Sequence, residues 1–391
     1  MELLSLLDEV SETSSRPKSR TSLETDLKRM LSIRTVVSTN SSEAAQNSDH
    51  DTYTKIGAGA CGAIFSLDGS TTAIKLGKVA DSMELWTDYK MHIIIRDAVL
   101  KHKIINVSVP ENRGFIKADH KSFWLKNTAV IDAAKKDINF PTEGLVAERI
   151  LPLAEPVRKL LIEKFCAPRI RAKAHADPAN KDCLIRPYLG SLEGRTSTLF
   201  FSLRNFKLHL NQIDELGLDM VEIAKDMGEV LAVMHWEART DARDVEFVLG
   251  SCAVSMRHVH NETNFRDMPK PARSIAPESE DIKDFTQRAT TLWLLDFNQV
   301  RTISLDAAGV AVAIDAFKVN DPYFPRPLLS HPRAGQLWNA FATSYLDMSV
   351  NILGHGKLPI LFLKGVINMQ REKNAKKESK SRDTLDGVAP V

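Results

Sequence analysis

Apolar and polar residues fall into a clear order along the chain. Residues 11–50 are dominated by Ser, Thr, Asn and charged side chains. Such a composition has too little apolar surface to offset the entropy of ordering, so residues 1–51 are expected to form a disordered tail. Within it, Leu23, Leu27, Met30 and Leu31 recur at helical spacing, with Glu24 and Asp26 near the start. Ser22–Ile33 therefore reads as a transient or docked helix. Tyr53–Leu76 predicts two or three strands with a turn at Asp68–Gly69. Ser82–His102 has helical spacing through Leu85, Tyr89, His92 and Ile93. Val107–Leu125 reads as short strands around a Pro-Glu-Asn-Arg-Gly turn, and Val146–Leu151 as a short strand ending at Pro152. Pro156–Phe165 is amphipathic through Val157, Leu160, Leu161 and Phe165. Asp219–Trp236 gives the clearest long helix, with Met220, Ile223, Ala224, Met227, Leu231 and Met234 along one side. Asp244–Leu249 and Leu292–Phe297 read as strands, Arg257–Lys283 as a polar insertion and Trp338–Leu353 as a second apolar helix. Strands early and helices late predict an α+β chain with a β-rich part followed by a helical part.

Composition narrows the function classes. The 391 residues are 43% hydrophobic and 26% charged, ordinary values for a globular chain large enough for two lobes. A net charge of +2 exerts no general pull toward nucleic acid or a membrane surface, and neither partner is expected. The four cysteines are scattered, without C-x-x-C, and His258 and His260 have no acid or cysteine at ligand spacing. No zinc is expected. The best apolar run, Leu358–Leu363, is far too short to span a bilayer. Met1–Val10 carries acids and no basic start, so it reads as a frayed or amphipathic segment rather than a signal peptide. Residues 370–391 form a Lys/Arg/Glu/Ser tail in which Lys373–Arg382 is a weak candidate for nuclear import; a solvated tail is the simpler reading. These features predict a cytoplasmic protein, with the nucleus as the alternative.

Three segments carry candidate chemistry. Ile56–Phe65 reads I-G-A-G-A-C-G-A-I-F, and Ala73–Leu76 reads A-I-K-L. Gly57, Gly59 and Gly62 have the spacing of a loop that covers nucleotide phosphates, where backbone N–H groups approach because no Cβ intervenes. Lys75 would supply a fixed charge on the adjacent strand. A glycine-rich hairpin without ligand is the competing reading. Thr291–Arg301 reads T-L-W-L-L-D-F-N-Q-V-R. An aspartate ending so apolar a strand needs a partner, so Asp296 is either an Asx turn or a metal-facing carboxylate. Asn298, two residues on, is expected to take the left-handed angles of the turn. In Leu231–Leu249 a helix ends in L-A-V-M-H, and Asp241 precedes Glu246 by five residues, the spacing of a catalytic D-x-x-x-x-N. Solvated loop acids are the competing reading there.

Taken in order, these motifs resemble the protein-kinase-like superfamily over residues 52–355. The chain is more closely similar to a fungal family of uncharacterised kinase-like proteins sometimes labelled "zinc finger protein". The resemblance rests on E-R-I-L-P-L (Glu148–Leu153), C-L-I-R-P-Y-L-G (Cys183–Gly190), F-S-L-R-N-F (Phe201–Phe206), D-V-E-F-V-L-G (Asp244–Gly250), W-L-L-D-F-N-Q (Trp293–Gln299) and N-D-P-Y-F-P-R-P (Asn320–Pro327).

The resemblance implies a bilobal fold: an N-lobe over 52–150, a C-lobe over 151–368 with an insertion near 257–288, and a disordered tail over 369–391. It implies ATP and Mg²⁺ as cofactors. Lys75 would meet the phosphates and an acid of the first helix, Asp88 or the less well aligned Glu84. Glu148 and Ile150 would lie at the adenine, Asp241 would be the catalytic base, and Glu246 and Asp296 would hold metal. Arg186, Arg204 and Asn205 receive no role. Three departures count against efficient transfer. No His-Arg precedes Asp241, Glu246 replaces asparagine, and no A-P-E follows. The leading expectation is a pseudokinase or weak nucleotide binder that scaffolds an unidentified protein partner. The alternatives are a small-molecule phosphotransferase resembling aminoglycoside and choline kinases, and an interaction protein without nucleotide.

Overall fold

Alternation along Tyr53–Gly77 builds the first of two sheets. The structure, a computed structural model, describes residues 20–32, 36–38, 52–67, 70–80, 82–194, 199–255 and 283–386. The readings of Met1–Val10, of the Asp68–Gly69 turn, of His258 and His260 and of most of the polar insertion lie outside these residues. Strands β2 (Tyr53–Ala58), β3 (Gly62–Leu67) and β4 (Thr72–Gly77) form an antiparallel meander. β7 (Gly144–Glu148) and β6 (Asn112–Ile116) extend it in the order β2-β3-β4-β7-β6, all antiparallel. Because side chains alternate between faces, Phe65, Ile74 and Leu76 pack into a small core with Trp124 and Val130. These come from the short helices α3 (Lys121–Lys126) and α4 (Thr128–Ala134). Ile64, Ala73 and Lys75 point to the opposite face and line a cavity.

Helix α2 (Met83–Lys101) crosses beside that face. Ser82 caps it, its hydroxyl accepting the Glu84 N–H at 3.3 Å. Leu85, Asp88, His92, Ile95 and Val99 form its buried stripe at three- and four-residue spacing. Asp88 is the one acid in that stripe.

The second sheet contains the two strands read at Asp244–Leu249 and Leu292–Phe297 and extends well beyond them. β10 (Glu246–Ser255) and β11 (Lys283–Leu295) form a long antiparallel ribbon. β8 (Ile185–Tyr188) and β9 (Phe206–His209) continue it on the β10 side; β1 (Val36–Ser38) and β5 (Val107–Ser108) pair with β11. Residues 283–288, expected within an insertion, lie in β11. The strand pairings of 185–209 join parallel segments that no local pattern announces.

Helices complete the main core. Among them α5 (Glu155–Phe165), α6 (Arg171–Ala176), α7 (Leu210–Glu215) and α8 (Val221–Ala232) precede the ribbon; α9 (Ala307–Val319), α10 (Pro332–Leu353) and α11 (Lys357–Asp386) follow it. α8 lies so close to α10 that a Cβ on Gly228 would sit 2.4 Å from the Phe341 carbonyl oxygen. α11 corrects the disordered tail expected from 369. Phe362, Val366 and Gln370 are buried along one side, and the Lys- and Glu-rich continuation has strong helix propensity.

Helix α1 (Arg20–Leu31) agrees with the docked-helix reading of Ser22–Ile33. Leu27, Met30 and Leu31 are buried in the main core beside α5. Lys164, itself only 4% exposed, pairs with Glu24 of α1 and with Glu215. Thr290 of β11 donates to the Met30 carbonyl at 3.0 Å. Leu27→Ala should therefore cost about 3 kcal/mol, the usual range for a fully buried leucine. Urea unfolding measures this, and an unchanged midpoint would show that α1 is not part of the folded unit.

A π-helical turn at Val233–Glu237 follows α8 and buries His235 against Phe362, with its Nδ1 2.9 Å from the Tyr345 hydroxyl. Burial lowers the His235 pKa to about 3. The unfolded histidine binds a proton below its ordinary value near 6.5. Stability is thus present above that value and is lost as pH falls from there toward 3. His235→Gln, which keeps an acceptor for Tyr345, should flatten this acid limb in unfolding midpoints measured across the range.

Candidate functional site

The cavity between the two sheets opens to solvent and has a volume of about 200 Å³. Lys75 is its anchor. Nζ donates to Asp88 Oδ2 at 2.6 Å and to Asp296 Oδ1 at 2.9 Å. Burial acts against the charged lysine, but the two carboxylates overcome it and hold the pKa above its ordinary value. Asp88 Oδ1 accepts the Phe297 N–H at 3.0 Å. One carboxylate thus ties together the lysine of β4, helix α2 and the turn after β11. Glu84, the other acid considered on α2, lies in its first turn and is exposed.

The turn after β11 differs from expectation in one detail. Asp296 itself takes the left-handed conformation, with φ 64°, and Asn298 does not. Aspartate is among the few residues that tolerate that region. The conformation turns the carboxylate out of the strand toward Lys75.

The three glycines do different things. Gly59 faces open space at the tip of the β2–β3 hairpin, where its N–H donates to the Gly62 carbonyl at 2.9 Å. Gly62 is glycine for a packing reason: a Cβ there would meet the Leu76 carbonyl oxygen at 2.7 Å. Gly57 lies over Ile64, with 3.3 Å available to a Cβ. All three line the cavity, together with Cys61.

On the opposite wall Glu148, Arg149 and Ile150 also line the cavity. The N–H groups of Glu148 and Arg149 are used internally, on the carbonyls of Glu111 and Thr71, both at 2.7 Å. Ile150 is the better of the two expected base-contacting residues on this ground.

Asp241 does not belong to the cavity. Its side chain is fully buried; Oδ1 accepts the Arg301 and Arg243 N–H groups at 2.9 and 3.1 Å, and Oδ2 accepts Arg301 Nε at 2.6 Å. The hydrogen bonds to Asp241 thus come from within the chain, and the structure does not bring it to the cavity with Lys75 and Asp296. Asp244, three residues on, is exposed and lies in the field of Asp296, with burial and that neighbour raising its pKa. It too has a left-handed φ, 58°, and its carboxylate accepts Gln299 Nε2. The run of left-handed residues at Arg239, Ala242 and Asp244 rotates this loop relative to the simple five-residue count.

Glu246 does line the cavity, but as part of an ion pair. Arg186 Nη2 donates to its Oε2 at 2.6 Å. Burial nevertheless pushes the Glu246 carboxyl up to about 7, against the opposing effect of Arg186. With one oxygen held by a guanidinium, Glu246 and Asp296 do not fit a two-carboxylate metal site. Among the described residues no group of three His, Cys, Asp or Glu could hold a metal ion. Arg204, the other arginine without an assigned role, donates to Asp182 at 2.6 Å and to the Lys55 carbonyl at 3.2 Å; it lines the cavity with Asn205. The roles of these arginines were missed because their partners lie 60 and 22 residues away in sequence.

Comparison with known proteins adds one finding. Residues 292–357 match the model of a domain-of-unknown-function family described as "Zinc finger protein". The matched stretch holds Asp296 and runs through α9 and α10. No curated protein matches the chain. No helix among the described residues is long and apolar enough to cross a membrane.

Lys75→Met would leave Asp88, 4% exposed, without its cation. That variant should lose roughly 3–5 kcal/mol of stability. Lys75→Met combined with Asp88→Asn should recover part of it in chemical denaturation. A double variant no better than the single would show that the pair is not coupled.

Proposed function

We propose that this chain has a kinase-like bilobal fold whose cleft binds a nucleotide such as ATP without efficient phosphate transfer, and that it acts as a scaffold. The carrying observation is the Lys75–Asp88–Asp296 cluster beneath a glycine-rich hairpin, joined by residues from both sheets. Lys75 and the hairpin offer charge and N–H groups to phosphate. The apolar surfaces of Ala73, Leu145 and Leu184 suit a flat base. The burial of Asp241 under Arg301 argues against general-base chemistry at the expected position. The partner scaffolded is a protein not identified by these features.

Gly59 supplies a clean test, because a Cβ added there meets no atom within 4 Å. ATP should raise the melting temperature of the full chain, and Gly59→Glu should raise the ATP concentration needed for a given rise about tenfold by placing a negative charge beside the phosphates. The stability of the ligand-free variant should be unchanged. Absence of any ATP effect on the unmodified chain would favour an interaction protein without nucleotide. Turnover of ATP with a small-molecule acceptor would favour the phosphotransferase alternative.

A further inference from the structure

A kinase-like cleft ordinarily relies on metal held at the position of Glu246, and here that position is already neutralised by the protein. Arg186 sits on β8, between Ile185 and Pro187, and lines the cavity. Its side chain is 14% exposed, so the charge is held in place rather than waving in solvent. Nη2 is 2.6 Å from Glu246 Oε2, and Nη1 approaches Asp321 at 4.0 Å. Nε is buried without an acceptor. A guanidinium is always charged and carries five donors in a fixed plane. Mg²⁺ needs near-octahedral oxygen ligands at about 2 Å. A magnesium ion on Glu246 would have to share the carboxylate with the guanidinium, placing two cations side by side.

We infer that Arg186 is a built-in cation that replaces a metal on the Glu246 side of the cleft, so that nucleotide binding does not depend on Mg²⁺. Glu246 is then the counter-ion that holds Arg186 in place. The inference rests on the nucleotide reading above and specifies the cation requirement of that site. Positive charge facing a polyphosphate comes from Lys75 and Arg186, one from each sheet. Asp88 and Glu246 are their respective anchors.

The test is calorimetric titration of the full chain with ATP, in EDTA and in excess MgCl₂. The unmodified chain should bind with dissociation constants within about threefold of each other in the two conditions. Arg186→Ala combined with Glu246→Gln removes both charges of the pair and leaves no lone buried carboxylate. This double variant should bind about tenfold more weakly in EDTA. Arg186→Lys, which keeps a cation, should restore part of the binding. Circular dichroism checks that each variant is folded. ATP binding that appears only with Mg²⁺ would overturn the inference while leaving the nucleotide reading intact. So would a folded double variant that binds in EDTA as the unmodified chain does. Binding in neither condition would overturn the nucleotide reading itself, and the inference with it.

Discussion

The Asp88 carboxylate is the joint on which the cleft depends. It takes Lys75 from the first sheet on one oxygen and the Phe297 N–H from the second on the other. Neither contact would be adequate alone. A buried carboxylate with one partner remains under-satisfied, and a buried lysine without an acid would lose its charge. Together they fix helix α2 at a set distance from β4 and from the end of β11. His92, one turn further along α2, reinforces this by packing its ring 5.3 Å from Phe297 and by bonding the Pro110 carbonyl at 2.7 Å. Burial lowers the His92 pKa, which favours a neutral ring at that contact.

Two separate hydrophobic cores lie on either side of this joint. The small one, under β3 and β4, is closed by Trp124 and Val130. The large one extends from Leu27 of α1 to Val366 of α11. Each sheet therefore has its own reason to fold, and the cleft is the place where polar groups meet instead of apolar ones. Its charges are consequently paired across elements: Lys75 with Asp88 and Asp296, Arg186 with Glu246, and Arg204 with Asp182. This pairing is what a low-dielectric cavity requires before any ligand enters. It also sets what the cavity can do. A carboxylate already occupied by a guanidinium is a poor metal ligand, and one buried beneath Arg301 is a poor base.

What the sequence determined is the local layer of this protein. Period-two alternation in Tyr53–Gly77 set which residues face the small core, and so placed Lys75 on the other face. The 85–88–92 spacing put Asp88 on the buried stripe of α2, where an acid must find a cation. The apolar run before Asp296 marked the end of a buried strand. These signals are legible because they depend on neighbours within a few residues. Tertiary structure alone decided the remainder. The pairing of Arg186 with Glu246 and the second sheet join residues far apart in the chain. Helical spacing marked α1, but its docking through Leu27 came from the main core, and α11 continues as a helix past 369, where composition reads as tail. Asp241 and Asp244 are three residues apart and equally acidic, yet backbone angles send one under Arg301 and leave the other exposed. Spacing can nominate an acid, but burial and the partners that reach it decide its role, and both come from long-range packing.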